Sequence, residues 1–127
     1  MQILLDSHAL LWFLEGNEKM PEATVEIINT PENEIYVSIV SIWEIAIKFS
    51  IGKLQLDGGV DTLIKNIEEN GFSILDVSTE HVNTVAELHF IHRDPFDRML
   101  VAQAMVEGIS IMTIDSNITK YDINSVW

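Results

Sequence analysis

The chain has 127 residues, 47% of them hydrophobic, which is enough to bury one core and predicts a single domain over residues 1–127. Its 20 acidic residues outnumber its 7 Lys and Arg residues, and the formal net charge of −13 counts against a passive nucleic-acid-binding module because such a surface repels phosphates. The absence of cysteine excludes disulfides and thiolate metal sites, so any metal must be held by oxygen or imidazole ligands.

The opening segment, MQILLDSHALLWFLEG, lacks the basic region and the small-residue cleavage site of a signal peptide. No apolar stretch approaches the roughly 20 residues that are needed to span a bilayer. We therefore expect a cytoplasmic protein that makes no membrane contact.

The hydrophobic pattern predicts strands that alternate with helices along the chain. Strands are predicted at Gln2–Leu5, Ile35–Ser38, Phe72–Val77 and Ile109–Ile114, with a short fifth strand near Ile123–Trp127. Helices are predicted through Leu10–Leu14 and at Pro21–Asn29, Ser41–Phe49, Asp61–Asn70, Thr79–His89 and Pro95–Glu107. This alternation is typical of βα units, so we predict a three-layer α/β/α fold with a mostly parallel central sheet of four to five strands.

Two aspartates, Asp94 and Asp97, lie three residues apart in the segment HRDPFDR at 92–98. Asp before Pro is a favourable helix N-cap, Pro is favoured at the first helical position, and an acidic residue at the third can complete a capping box. On local grounds alone, both aspartates are explained by the start of a helix.

The predicted topology nevertheless gathers four carboxylates at one edge of the sheet. Asp6 follows the first strand, Asp115 follows the fourth, and Glu44 lies near the start of the helix that leaves the second, so all three belong to the edge where parallel strands end and sites form. If the helix that begins at Pro95 is antiparallel to the next strand, the helix runs about 15 Å from Asp97 to its end, and the strand then runs roughly 17 Å in the opposite direction to Asp115. Because the two lengths are nearly equal, Asp97 and Asp115 are expected at the same edge of the sheet.

Such a cluster does not stay ionised and unpaired at close range, because like charges raise pKa values and buried charge is costly. A divalent cation resolves the conflict, and oxygen-only ligands favour Mg²⁺ or Mn²⁺, which can activate water for phosphodiester hydrolysis. Structural alternatives remain open for each acid: Asp6 as an N-cap, Asp115 as a turn residue, and Glu44 as the exposed i,i+4 partner of Lys48.

Four segments together resemble the PIN domain and, more narrowly, the VapC-type toxins of bacterial and archaeal toxin–antitoxin pairs. They are LLDSHALLWFL at 4–14, SIWEIAIKFSIGKLQL at 41–56, HRDPFDRMLVAQA at 92–104 and TIDSNITKY at 113–121. The resemblance implies a metal-dependent ribonuclease whose acidic pocket binds Mg²⁺ or Mn²⁺. The four acids of the family match Asp6, Glu44, Asp97 and Asp115, which leaves Asp94 outside the set as the N-cap of its helix.

The resemblance implies further features of the site and its partners. Ser7 matches a hydroxyl that often supports the site, and Asn117 stands where some members carry a further acid, which leaves one-metal and two-metal operation open. Members of this group cut cellular RNA, are neutralised by a small antitoxin whose tail covers the site, and are commonly homodimers. An apolar stripe on the first helix can serve a dimer interface or simply pack in the core; it consists of Leu11, Trp12 and Leu14.

Few basic residues lie near the predicted pocket. The candidates for phosphate contacts are Arg93, Arg98 and Lys48, with an ion pair to a neighbouring acid as the alternative for Arg98. His92 is either a general acid or an ordinary loop residue. Besides the ribonuclease, we consider a catalytically weak PIN-fold module that acts through protein contacts; an aspartate-nucleophile phosphatase is disfavoured because Asp6 is followed by Ser7-His8 rather than by the D-x-D pattern.

Overall fold

The computed structural model describes residues 1–127 and contains one sheet of five strands in the order β3-β2-β1-β4-β5. The strands are β1 Gln2–Leu5, β2 Glu34–Ser38, β3 Ser73–Leu75, β4 Ser110–Met112 and β5 Ser125–Val126. The helices are α1 Ser7–Glu15, α2 Glu22–Asn29, α3 Ile39–Ser50, α4 Gly59–Glu69, α5 Thr79–Glu87, α6 Pro95–Glu107 and α7 Ser116–Thr119. All neighbouring strands are parallel.

The central strand β1 is buried on both faces, as a parallel sheet between two helical layers requires. Ile3 and Leu5 point to a core cluster that includes residues of α1, α2, α3 and α4. Leu4 points the other way, to a second cluster that includes residues of α6 and α7. Alternate side chains of one strand thus bind the two layers together, and the predicted three-layer α/β/α fold is confirmed.

The main departures from the predicted elements occur where side chains bond to the backbone at strand ends. Strand β4 ends at Met112 instead of Ile114, because the Thr113 hydroxyl accepts a hydrogen bond from the backbone N–H of Asp115 at 3.0 Å. Asp115 then caps α7, a single-turn helix that the hydrophobic pattern did not predict. Such local bonds compete with the ladder between strands and stop it.

The apolar stripe on α1 packs largely inside the molecule. Leu11, Trp12 and Leu14 are partly buried against the first core cluster, and the Trp12 ring lies edge-on to Trp127 with centroids 5.8 Å apart. This arrangement matches the packing alternative for the stripe. None of the helices has the length and apolar character needed to cross a bilayer.

Helix α6 has well-defined signals at both ends. The Asp94 carboxylate accepts hydrogen bonds from the backbone N–H groups of Phe96 at 2.9 Å and Asp97 at 3.0 Å, and Pro95 is the first helical residue. Gly108 ends the helix in the left-handed region at φ 67°, a conformation that glycine adopts without steric cost. The predicted N-cap role of Asp94 is confirmed.

We predict that Asp94→Ala lowers the free energy of unfolding by about 1 kcal/mol, because two backbone donors lose their acceptor. Asp94→Asn is the matched control, since an asparagine side chain accepts the same bonds and is as good an N-cap. Urea denaturation followed by circular dichroism measures both variants. Equal destabilisation of the two variants would show that the charge of Asp94, and not its capping bonds, is what matters.

Candidate active site

Asp6 and Asp115 both follow strands of the sheet and both cap helices. The Oδ1 atom of Asp6, which is 5% exposed, accepts a bond from the backbone N–H of Ala9 at 2.7 Å at the start of α1. The Oδ1 atom of Asp115 accepts one from the backbone N–H of Asn117 at 2.8 Å at the start of α7. The N-cap alternative is therefore correct for Asp6, whereas Asp115, for which the alternative was a turn residue, caps α7. Capping does not exclude a second role, because each capping bond occupies only one of the two carboxylate oxygens.

Glu44 connects α3 to the segment that follows β1. Its Oε1 atom accepts a hydrogen bond from the Ser7 hydroxyl at 2.5 Å, and its Oε2 atom lies 3.5 Å from the Lys48 ammonium. The Glu44 side chain is only 12% exposed, whereas Lys48 is 46% exposed. The predicted i,i+4 pair is thus present, but the carboxylate also bonds to Ser7, the residue that follows Asp6 at the start of α1.

Asp97 lies in the first turn of α6, and its Oδ2 atom is 3.3 Å from Nε2 of His92. Burial raises the pKa of Asp97 from the ordinary value of 3.8 to about 6. The negative charge of Asp94 adds to this rise, and the hydrogen bond with His92 opposes it. Asp97 is therefore the acid in the cluster whose ionisation is most strongly disfavoured.

The pKa values also show that the four acids share one electrostatic environment. The charges of Asp115 and Glu44 both contribute to the raised pKa of Asp97. Burial raises the pKa of Asp6, and the negative charge of Asp115 adds to this rise. Hydrogen bonds from Thr113 and from the backbone N–H of Ala9 lower the pKa, as does the charge of His8. Four segments that are distant in sequence thus bring like charges within range of one another at the C-terminal edge of the sheet.

The chemistry of this donor set fits a hard divalent cation. Carboxylate oxygens are the ligands that Mg²⁺ prefers, and a cation reverses the repulsion and the desolvation that raise these pKa values. In the present arrangement, no three acidic or histidine side chains stand close enough together to hold a metal ion. Binding therefore requires side chains of the cluster to turn toward the ion.

The basic candidates occupy three different environments. Arg93 is exposed and lines a cavity of about 300 Å³ together with Trp43 and Phe96. Lys48 is paired with Glu44. The placement of Arg98 does not fit the expected phosphate contact or the alternative ion pair: the residue is 8% exposed, and its guanidinium donates to two backbone carbonyls and to a tyrosine hydroxyl.

Three residues at the site were not assigned a role by sequence reasoning. Thr113 contacts both Asp6 and Asp115 through its hydroxyl, and its position two residues before Asp115 was the one available signal. His92 contacts Asp97, although the sequence left it between a general acid and a loop residue. Tyr121 lies behind His92 and has no local signal at all, because the two residues are 29 positions apart. Asn117 is exposed, and only its backbone N–H contacts the acids.

Comparison with solved structures identifies relatives of the fold. VapBC2 from Rickettsia felis, bound to a DNA fragment from its promoter, matches with a TM-score of 0.78 and 14% identity over 100% of this chain and 99% of that chain. DNA-bound VapBC from Salmonella typhimurium matches with a TM-score of 0.75 and 15% identity over 99% and 97%. A toxin–antitoxin complex from Klebsiella pneumoniae matches with a TM-score of 0.65 and 15% identity over 98% and 96%. At these identities the likeness establishes a shared fold.

Comparison by sequence gives two results. A search of curated proteins finds no match. The family model of the PIN domain matches residues 3–124, a range that includes all four carboxylates of the cluster. The chain therefore belongs to the PIN-domain family.

Proposed function

We propose that the chain is a metal-dependent endoribonuclease and the toxin component of a type II toxin–antitoxin system of the VapC type. Residues 1–127 act as one PIN domain, in the cytoplasm, on RNA phosphodiesters. The observation that carries the proposal is the cluster of Asp6, Glu44, Asp97 and Asp115, in which burial and the neighbouring negative charges raise the pKa values of Asp6 and Asp97. A bound divalent cation would stabilise the ionised form of these carboxylates.

In this proposal the four acids hold Mg²⁺, or Mn²⁺ in its place. When bound, the ion lowers the pKa of water and offsets the charge of the phosphodiester during hydrolysis. The protein limits the orientations of the ligands through hydrogen bonds: the Ser7 hydroxyl donates to Glu44, and backbone N–H groups donate to Asp6 and Asp115. Arg93 is exposed, lies four residues before Asp97 in the sequence and is our candidate for a phosphate contact.

A protein partner is proposed from the surface of α3 next to the site. Ile39, Trp43 and Ile47 recur every fourth residue, so they form one stripe, and they are 39%, 60% and 37% exposed. Trp43 also lies edge-on to Phe96, with ring centroids 5.3 Å apart. An apolar stripe beside an acidic pocket is complementary to a small antitoxin in which an apolar segment packs on α3 and a basic side chain enters the pocket. The complexes among the fold relatives support this assignment, and we also propose a homodimer.

A second candidate is a PIN-fold module that acts through protein contacts and has little catalytic activity. The scarcity of available cations favours it, since Arg98 is buried and Lys48 is paired, which leaves Arg93 as the one exposed and unpaired residue among the three candidates for phosphate contacts. This candidate predicts the same complex with a partner but no metal-dependent RNA turnover. Cleavage assays therefore separate the two functions.

Asp6→Asn and Asp97→Asn are each expected to lower Mg²⁺-dependent RNA cleavage by at least about a hundredfold, because each removes a charged ligand. Cleavage of total RNA is followed with and without EDTA, and circular dichroism verifies the fold. Asp57→Asn, which removes an exposed carboxylate without an ion pair, is the control and should cleave like the wild type. Full cleavage by both cluster variants, or by the wild type in EDTA, would refute the nuclease assignment.

The raised pKa of Asp97 predicts a pH dependence of stability in metal-free protein. Between pH 3.8 and about 6 the folded state holds a proton on Asp97 that the unfolded state has lost, so the free energy of unfolding falls as the pH rises through this window. Asp97→Asn removes this loss, which is on the order of 1 kcal/mol after screening by solvent. Urea denaturation of both proteins in EDTA at pH 4 and pH 7 measures it. A variant that gains no stability relative to the wild type between the two pH values would contradict the prediction.

Expression of the chain in a bacterial host is expected to arrest growth, and co-expression of a short adjacent gene should relieve the arrest.

Trp43→Ala should raise the Kd of the purified complex with this partner about tenfold or more, since an aromatic anchor at an interface core carries much of the binding energy. Val82→Ala, which truncates a 52% exposed apolar residue on α5, is the control. Unchanged affinity of the Trp43 variant would show that the partner binds elsewhere.

A further inference from the structure

A chain of three polar side chains leads from Asp97 into the interior of the protein. The Nε2 atom of His92 lies 3.3 Å from Oδ2 of Asp97, and Nδ1 of His92 lies 3.0 Å from the hydroxyl of Tyr121. The Arg98 guanidinium, through Nη1, lies 3.0 Å from the same hydroxyl. Tyr121 and Arg98 are 5% and 8% exposed, and the His92 side chain is 12% exposed. These three hydrogen-bonded side chains are therefore largely shielded from water.

The direction of each hydrogen bond in this chain follows from Arg98. A guanidinium only donates, so the oxygen of Tyr121 accepts from Arg98. Arg98 is held in place by two further bonds, from Nη1 to the carbonyl of His89 at 3.1 Å and from Nη2 to the carbonyl of Val85 at 3.3 Å. The proton of the Tyr121 hydroxyl is then free to be donated, and the acceptor within reach is Nδ1 of His92.

This direction favours one tautomer of His92. A ring nitrogen that accepts a hydrogen bond carries no proton, so the proton of the neutral imidazole is on Nε2. That N–H faces Oδ2 of Asp97.

We propose that His92 is a positioning residue for Asp97, held in the Nε2–H tautomer by Tyr121 and Arg98 so that it anchors Oδ2 and leaves Oδ1 available to a divalent cation. No protein group donates a hydrogen bond to Oδ1 of Asp97 within the described contacts. The inference rests on the proposed function, since the carboxylate is oriented for a metal ion. It assigns to Asp97 the kind of fixed donor that Asp6 and Asp115 receive from helix N-termini and Glu44 receives from Ser7.

The tautomer is tested directly on metal-free protein. Two-bond ¹H–¹⁵N correlation spectra of the ¹⁵N-labelled chain, at a pH where the imidazole is neutral, distinguish a protonated Nε2 from a protonated Nδ1. We expect His92 to show the Nε2–H form, and Tyr121→Phe to reduce its population because Nδ1 loses its donor. A neutral His92 with the proton on Nδ1 would overturn the proposal, whether or not the protein is a nuclease.

The positioning role is tested by the affinity for Mg²⁺, measured by calorimetry. His92→Leu should raise the Kd about tenfold or more, the range found when the partner of a metal ligand is removed. His92→Gln should stay within a few-fold of the wild type, because its amide N–H can replace the Nε2–H donor. Asp57→Asn, at an exposed carboxylate outside this network, is the control. An unchanged Kd in a folded His92→Leu variant would refute the role.

The two levels of the proposal fail in different ways. If the wild type cleaves RNA and His92→Leu binds Mg²⁺ with unaltered affinity, the positioning role is refuted and the nuclease assignment is retained. A wild type that cleaves no RNA but binds Mg²⁺ through a His92-dependent site would remove the nuclease and retain the positioning role. If His92→Leu does not fold, the tautomer of His92 in the wild type still tests the positioning role.

Discussion

Repulsion among carboxylates at one edge of a parallel sheet is the constraint on which the rest of the structure depends. A parallel sheet between two helical layers buries its strands and brings the segments after them to one edge, where this chain places Asp6, Glu44 and Asp115. Asp97 is added from the start of α6, the helix that precedes β4. Burial and mutual charge disfavour the ionised form of Asp6 and Asp97. The fold thus maintains at this edge an arrangement that is unfavourable by itself and that a cation makes favourable.

The surrounding structure holds each acid through a specific donor. Backbone N–H groups at the starts of α1 and α7 bind Asp6 and Asp115, a serine hydroxyl binds Glu44, and an imidazole contacts Asp97. A capping bond is usually interpreted as an alternative to a functional role. Here a capping bond and a functional role are compatible, because the capping bonds of Asp6 and Asp115 each use only one of the two carboxylate oxygens. Asp94 differs from these, since it caps α6 with two bonds and thereby sets the position of Asp97 one turn further on.

Sequence reasoning predicted most of the fold because the hydrophobic pattern is strong. Strands followed by helices imply a parallel sheet, and the acids that follow strands are then placed at a common edge without knowledge of any contact. Helix α7 was missed because four residues are too few to show a helical period. The cap of α6 was predicted because Asp94 and Pro95 are a purely local signal.

The contacts behind the acids were beyond such reasoning. Arg98 resembles a surface base in the sequence, but it is buried because the carbonyl groups near the end of α5 and the Tyr121 hydroxyl accept all of its observed hydrogen bonds. Those partners lie 9 to 23 residues away in the chain. The link from His92 to Tyr121 likewise depends on how the C-terminal segment packs against α6, which no spacing in the sequence indicates.

The most direct test of the central claim is a crystal structure of the protein grown with Mn²⁺ and measured at the manganese absorption edge. We expect an anomalous peak at the C-terminal edge of the sheet, coordinated by oxygens of Asp6 and Asp97 with Glu44 or Asp115 within reach. We also expect Oδ2 of Asp97 to remain bonded to His92. Saturating Mn²⁺ with no peak among these carboxylates, or a peak bound only by other residues, would contradict the central claim.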